Sequence, residues 1–474
     1  MTDVATDPLL AAAPPAPADG VWAPARRRLT IALVLTITLV AFESLAIATV
    51  MPVVADDLGG LGLYGWVFSG FFLGSLLGIV LAGRAADRRG TRLPFAVGLA
   101  LFAAGLAVGG AAVSMPMLVA GRVAQGVGAG VIPAVAYTTV GRDYPADLRP
   151  RLFAVFSSAW VIPGLVGPAA ASALAAWTSW RLVFLSLLPL VLVAALLALP
   201  ALSDRGPAAA GAAGGGDDRE HGDMRVDALV LVAGVALVLA GLGAGAPLPA
   251  LVLVAVGAPP AVWAFVRLVP TGTLSLHPGL PAAVGLRGIL TFAFFGTDAY
   301  VSLAVTDAHH SPTWVAGLAL TGGTLAWTAG AWIQQRLVHT RGPRWLVRRG
   351  LAVLAAGIAL TTVTLGPLPV GFLVAAWTLG GFGIGLSYAV LSVTVLGTAA
   401  PGQEGRASAS LQLSDVLGVS LGTGMAGVLV ALGEARDWAT GSSLTIAFLI
   451  TLGVALFGVV AAGRLPRRLT ADAL

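Results

Sequence analysis

No cysteine and no lysine occur anywhere in the chain; all 27 basic residues are arginine. The first absence excludes disulfides, thiol nucleophiles and thiolate metal sites. The second excludes Schiff-base chemistry and the G-x-x-x-x-G-K-[ST] loop that cradles nucleotide phosphates. Charge of either sign is scarce: Asp, Glu, Lys and Arg make up 10% of residues, against about 25% in soluble domains. What fills the chain instead is hydrocarbon. Hydrophobic residues account for 57% and the mean hydropathy is +0.92. The apolar runs are close to the ~20 residues that a membrane helix needs, and far longer than the alternating strands of a β-barrel. Composition therefore specifies an all-α integral membrane protein embedded in a lipid bilayer, with no nucleic-acid or nucleotide partner.

The apolar runs place spans near 29–53, 63–83, 94–113, 116–140, 151–176 and 181–201. Two more follow near 227–246 and 248–268, then six near 284–306, 312–335, 346–365, 369–398, 406–431 and 441–462. The count is fourteen. Pro259 and Pro260 interrupt the span 248–268, and a re-entrant hairpin there would lower the count to twelve. The organisation expected is a tail (1–28), a six-helix bundle (29–201), a flexible Gly/Ala/Asp-rich linker (202–226) and two additional helices (227–268). A connector (269–283), a second six-helix bundle (284–463) and a short tail (464–474) complete it. Arg26, Arg27 and Arg28 mimic the basic start of a signal peptide. The apolar run after them is too long and lacks a small-residue cleavage site, so it reads as a retained helix. With the N-terminus inside, 24 of the 27 arginines fall on the cytoplasmic side, Arg267 and Arg287 among them. Arg181 and Arg436 fall outside, and Arg122 lies within a span. That asymmetry places both termini in the cytoplasm of a multi-pass protein of the cell membrane.

Four features carry chemistry. Gly83–Arg92, GRAADRRGTR, packs four arginines and Asp87 between two spans. Arg122–Gly130, RVAQGVGAG, puts an arginine and Gln125 inside a span, where a cation costs about 2.5–3.5 kcal/mol and must face a bundle interior or a wet cavity. Trp160–Ser172, WVIPGLVGPAAAS, strings Pro163, Gly164, Gly167 and Pro168 along one helix. Glu43, mid-span, precedes Pro52 by nine residues and shares a polar stripe with Thr36; Asp298 occupies the equivalent place in the second half. An internal repeat supports that equivalence. Loop 83–92 aligns with Gln335–Arg344, QRLVHTRGPR, and 122–130 aligns with Trp377–Gly385, WTLGGFGIG.

The spacing G-x-x-x-D-R-x-G-x-R resembles the loop between helices two and three of the major facilitator superfamily, with Thr91 where a basic residue is usual. The segment 122–130 matches the family's fourth-helix motif R-x-x-Q-G-x-G-A. The helix-five segment is similar to the antiporter motif of drug/proton exchangers, with Ala171 and Ser172 replacing its terminal glycines. Six spans, two, then six matches the fourteen-helix drug:proton antiporter branch. The resemblance implies a major-facilitator fold and a cytoplasmic gate of Gly83, Arg84, Asp87, Arg88, Gly90 and Arg92. It further implies an antiporter helix carrying Pro163, Gly164, Gly167 and Pro168.

A carboxylate withdrawn from water favours its neutral form and takes up a proton. Glu43, Asp298 and Asp415, with Arg122 and Gln125, are therefore the candidates for proton coupling and substrate binding. The competing role for each is hydrogen-bonded helix glue, and for Arg122 a static pair that fixes packing. Thr36, Thr291, Ser302, Trp327, Tyr388 and Gln412 are candidates to line the cavity. Ser408, Gln412 and Asp415 share one helix face. Phe292, Phe294, Phe295 and Tyr300 add aromatic surface, and an ordinary polar outer loop accounts for His309 and His310; no metal site is expected. The expected protein is not an enzyme. It is a monomeric, proton-gradient-driven secondary transporter, free of cofactors, that exports small hydrophobic or amphipathic compounds, cations included, by alternating access. Alternatives are an importer or a metabolite or siderophore exporter of the same fold; a membrane-embedded enzyme or a channel would need a nucleophile with its base, or a filter.

Overall fold

The computed structural model describes residues 20–145, 148, 151–152, 155–156, 159–202, 224–244, 246–400 and 403–468. For residues 25, 83, 84, 87, 88, 141, 161, 339 and 404 it describes the backbone alone. The expected linker lies almost entirely outside the described residues.

Among the described residues the chain forms no strand and crosses the bundle fourteen times. The helices are α1 (Pro24–Leu58), α2 (Tyr64–Arg89), α3 (Arg92–Gly110), α4 (Met115–Asp143) and α5 (Val161–Trp177). Next come α6 in two pieces (Arg181–Leu185 and Leu187–Ala198), α7 (Met224–Leu242), α8 (Pro247–Leu268) and α9 (Leu280–Leu303). The run Thr313–Thr364 turns at Gly342, which separates α10 (313–341) from α11 (343–364). The last three are α12 (Val370–Thr398), α13 (Glu404–Glu434) and α14 (Thr440–Ala461). Twelve spans are apolar and long enough to cross a membrane. The other two are α5, described as a helix over 17 residues, and α10, which carries five threonines and two glutamines. Pro259 and Pro260 do not break α8: it is one full span, not a re-entrant hairpin.

Helices α1–α6 and α9–α14 pack as two bundles, and the α7–α8 hairpin sits beside them with α7 touching both α2 and α13. The sequence repeat is built into the backbone. Gly90 ends α2 at φ 74°, and Gly342 ends α10 at φ 71°. Only glycine takes that left-handed turn without strain. Gly126 and Gly130 of α4 lie directly on the carbonyls of Phe71 and Ser75 in α2, where a Cβ has no room. Gly381 and Gly385 of α12 do the same to Gly323 and Trp327 of α10. Each half departs from the regular hydrogen-bond ladder of its first helix at a matching place: Pro52 lies inside α1, and α9 ends in a π turn, Ala304–Ala308.

An even number of crossings brings both chain ends to one side of the bundle, called here the terminal side. α9 starts at Leu280, so Arg287 lies two turns into a helix, deeper than the span start near 284 implied. Arg181, one of the arginines on the opposite, far side, pairs with Asp57 there (Nη1–Oδ2 2.8 Å), and the Trp180 indole donates to the same oxygen at 3.0 Å.

Candidate functional site

α1 and α4 bring Glu43, Arg122 and Gln125 together in a sealed pocket, each at most 1% exposed. Arg122 Nη1 donates to Glu43 Oε1 and, at 2.8 Å, to Gln125 Oε1. Its Nε donates to the Val67 carbonyl at 3.1 Å, and the guanidinium lies 4.1 Å above the Phe71 ring. The i, i+3 spacing of Arg122 and Gln125 puts both on one helix face. Close contact of α4 with α2, made by the two glycines, brings the Val67 carbonyl within reach. Among the described residues Glu43 Oε2 and Gln125 Nε2 have no hydrogen-bond partner.

The second half repeats this geometry with different chemistry. Arg122 meets Glu43 across 79 residues of chain, and Trp377 meets Asp298 across the same 79. The Trp377 indole N–H donates to Asp298 Oδ1 at 2.9 Å. No cationic group among the described residues reaches Asp298, which is partly accessible where Glu43 is not. Trp377, fully buried, stacks on Phe294 with ring centroids 5.0 Å apart. Phe294 in turn meets Trp327 edge-on at 5.4 Å, and Trp327 meets Tyr388 at 5.1 Å. The aromatics therefore form a continuous wall running from Asp298 toward the terminal side.

At the other end of that wall stands a cluster the sequence did not reveal. Arg287 Nε donates to Asp415 Oδ1 at 2.8 Å, and its Nη1 donates to the Tyr388 carbonyl at 2.7 Å. Tyr388 closes the ring by donating its hydroxyl to Asp415 Oδ2 at 2.9 Å, under a guanidinium 3.1 Å from its centroid. Asp415 is thus a paired charge binding α9, α12 and α13 together. With the span started near 284, an arginine at position 287 reads only as a charge at its cytoplasmic end. Only its partners, 101 and 128 residues away, reveal otherwise.

Of the proposed cavity-lining residues, Trp327, Tyr388 and Gln412 are partly accessible. Thr36, Thr291 and Ser302 are buried and line no open space. The hydroxyls of Thr36 and Thr291 turn back to carbonyls one turn earlier, and Thr291 also bonds the Asp415 carbonyl at 3.0 Å. Tyr300 belongs to the contact between the bundles, and Phe292 faces away toward α7 and α8.

The two bundles meet on the far side. Gly65 of α2 lies against Gly427 of α13, and the rings of Tyr64 and Tyr300 sit 5.2 Å apart. The helix-five segment faces α10. A Cβ on Gly164 has no room beside Thr324, and Gly317 packs on Ser172, whose hydroxyl bonds the Pro168 carbonyl at 2.8 Å. Gly167 faces Phe42 of α1, while Pro163 lies in the first turn of α5. In the 83–92 segment, Gly90 makes its turn and Arg92 opens α3. The side chains of Arg84, Asp87 and Arg88, and the surroundings of Gly83, lie outside the described residues.

Comparison with known proteins agrees with this architecture. The chain is 28% identical to a probable multidrug-efflux transporter of Mycobacterium tuberculosis over 90% of this chain and 91% of that one. It is 24% identical to the multidrug transporter protein MdtP of Bacillus subtilis, over 85% of this chain and 75% of that one. Among solved structures, a nucleoside transporter, NupG, superposes with a TM-score of 0.64 at 12% identity, covering 93% of this chain and 99% of that one. A D-xylose-proton symporter superposes with a TM-score of 0.61 at 17% identity, covering 90% and 97%. Residues 33–371 match the sequence model of the Major Facilitator Superfamily, and the chain belongs to that family.

Proposed function

We propose that this protein is a proton-coupled exporter of small hydrophobic or amphipathic compounds, working by alternating access, with the terminal side facing the cytoplasm. The observation that carries the reading is Asp298: a mid-membrane carboxylate held by a neutral indole donor, partly accessible, beside an aromatic wall. An unpaired charge is costly away from water. Such a group is therefore stable when it holds a proton or when a cation lies beside it. Proton and cationic or polarisable substrate then compete for one place, and exchange follows. The aromatic faces supply stacking area and attraction for positive charge. The multidrug-efflux name of the mycobacterial relative supports export over import.

Glu43 and Arg122 play the complementary part. They form a sealed pair that fixes α1 against α4 and leaves Glu43 Oε2 buried without a hydrogen-bond partner among the described residues. Alternating access requires the Gly65–Gly427 and Gly164–Thr324 contacts to part while the terminal side closes. The gate segment 83–92 is suited to that closure: a carboxylate such as Asp87 meeting a helix start such as the one near Arg406 would gain about 0.3–1 kcal/mol.

The test is substrate-induced proton release from the purified chain, screened with cationic dyes, neutral antibiotics and siderophores. Release with a dye or antibiotic is expected; release with siderophores alone would make the protein a metabolite exporter. Single cysteines placed at Gly214 and His309 check the orientation with an impermeant thiol reagent. Position 309 should label from outside intact cells, and labelling of 214 from that side would overturn it.

A further inference from the structure

A cavity of about 440 Å³ lies between the α7–α8 hairpin and the C-terminal bundle, lined by none of Glu43, Arg122 and Asp298. Its size falls in the range of about 300–1,000 Å³ found for small-molecule sites. The walls are Val235 and Leu231 of α7, Ala261 of α8, Ile289 of α9, Leu421 of α13 and Phe457 of α14. Leu274, from the connector between α8 and α9, closes the terminal-side end. Val262, Leu274 and Phe457 are each at least half exposed, so the cavity opens sideways, out of the bundle.

We infer that this cavity binds one acyl chain of a phospholipid from the terminal-side leaflet, with its phosphate at Arg267. Three observations select that occupant. The walls offer no free hydrogen-bonding side chain: the Ser414 hydroxyl bonds the Val284 carbonyl at 2.8 Å, and the Thr273 hydroxyl bonds the Pro270 carbonyl at 2.6 Å. A polar ligand would find nothing to bind, whereas hydrocarbon needs nothing. Depth is the second. On α7 the cavity runs from Leu231 to Val238, on α9 from Gly285 to Phe292 and on α13 from Ser414 to Leu421. Two helical turns span about 10 Å, which fits inside a single leaflet of about 15 Å and reaches its terminal-side end. Charge is the third. One turn below Leu231 stands Asp227, paired with Arg267 at 3.1 Å through Nε. The guanidinium, stacked over Trp263 at 4.7 Å, is more than one-third exposed. An arginine on an indole at a helix end is an interfacial anchor, and its remaining N–H groups suit a phosphate.

The site gives the two additional helices a task. They hold a lipid tail against the outer face of the α9–α13 contact, directly behind Thr291 and Asp415. The test uses the full chain reconstituted in vesicles of phosphatidylethanolamine and phosphatidylglycerol, with a photoactivatable diazirine in the acyl chain of a phosphatidylglycerol probe. Peptides carrying Val262, Leu274 and Leu421 should label about tenfold above the membrane-facing Leu93 and Val97 of α3, a preference of about 1.4 kcal/mol. Filling the cavity with Val235→Trp and Ala261→Phe should remove that excess and leave α3 labelling unchanged. Leu274→Glu, at an exposed position where folding is tolerant, should do the same. Arg267→Gln should weaken labelling by the phosphatidylglycerol probe and not by a diacylglycerol probe that lacks phosphate. Even labelling of all membrane-facing helices, undiminished labelling of the filled and Leu274→Glu variants, or stronger labelling by a free fatty acid would each overturn the inference.

Discussion

The two halves place a carboxylate at the same depth, meet it with a side chain 79 residues further on, and choose opposite partners for it. In the first half Glu43 receives a guanidinium and is shut away; in the second Asp298 receives an indole and stays partly accessible. A guanidinium supplies charge as well as hydrogen bonds, so Glu43 is held as half of an ion pair. An indole supplies one hydrogen bond and no charge, so no cation among the described residues balances an ionised Asp298. The two halves thus hold equivalent carboxylates in different settings, one in an ion pair and one against a neutral donor.

That contrast breaks most visibly at the sealed pair. Arg122→Leu leaves Glu43 buried and uncompensated, at a cost of about 3–5 kcal/mol. The expected outcome is loss of most folded protein in detergent, read by thermal melting, with partial recovery when Glu43→Gln is added. Full stability in the single variant would show that the pair holds nothing together.

Asp298→Asn should behave in the opposite way. The amide oxygen still accepts the indole N–H, so melting moves by less than about 1 kcal/mol. Substrate-induced proton release should fall about a hundredfold, equivalent to about 2.7 kcal/mol. Parent-like release from this variant would return coupling to Glu43 or to the Arg287–Asp415 pair.

The turns sharpen the comparison further. Alanine in the left-handed conformation costs about 1–2 kcal/mol, and Gly90→Ala should cost that amount. Gly342→Ala should cost more, because its Cβ runs into the Arg467 carbonyl and displaces the C-terminal segment that Arg344 holds through the Leu465 carbonyl at 2.8 Å. Equal melting shifts would show that this segment is not docked.

The smallest effect belongs to Arg181→Gln. Its pair with Asp57 has the same chemistry as Glu43–Arg122 but is about one-third to one-half exposed, where water and salt screen the attraction. A melting shift as large as that of Arg122→Leu, or one insensitive to salt, would erase the distinction between buried and exposed ion pairs here.

Much of this was legible in the chain. Fourteen apolar runs and the placement of arginines fixed the crossings, and the motif 122–130 named Arg122 and Gln125 together. The repeat alignment even set Trp377 at the position of Arg122, the one signal from which the Asp298 partner could have been read. Arg287 was hidden because a helix's first turns and a loop's last residues look alike in composition. Its meaning rests on Tyr388 and Asp415, which lie close only once three helices are packed. The hydroxyl stripe misled for a related reason. A threonine in an apolar helix satisfies itself on its own backbone, so periodicity marks a face without saying that the face is wet.

The ladder departures in α1 and α9 carry one more consequence. Proline removes an amide donor and leaves the residue count per turn unchanged; a π turn adds a residue and leaves every donor in place. Past Pro52 the first helix runs on to Leu58, whereas the ninth closes with its π turn, Ala304–Ala308, and the chain leaves the helix at His309. The two halves therefore differ at the far-side end of their first helices, while Glu43 and Asp298 each keep a partner 79 residues further on.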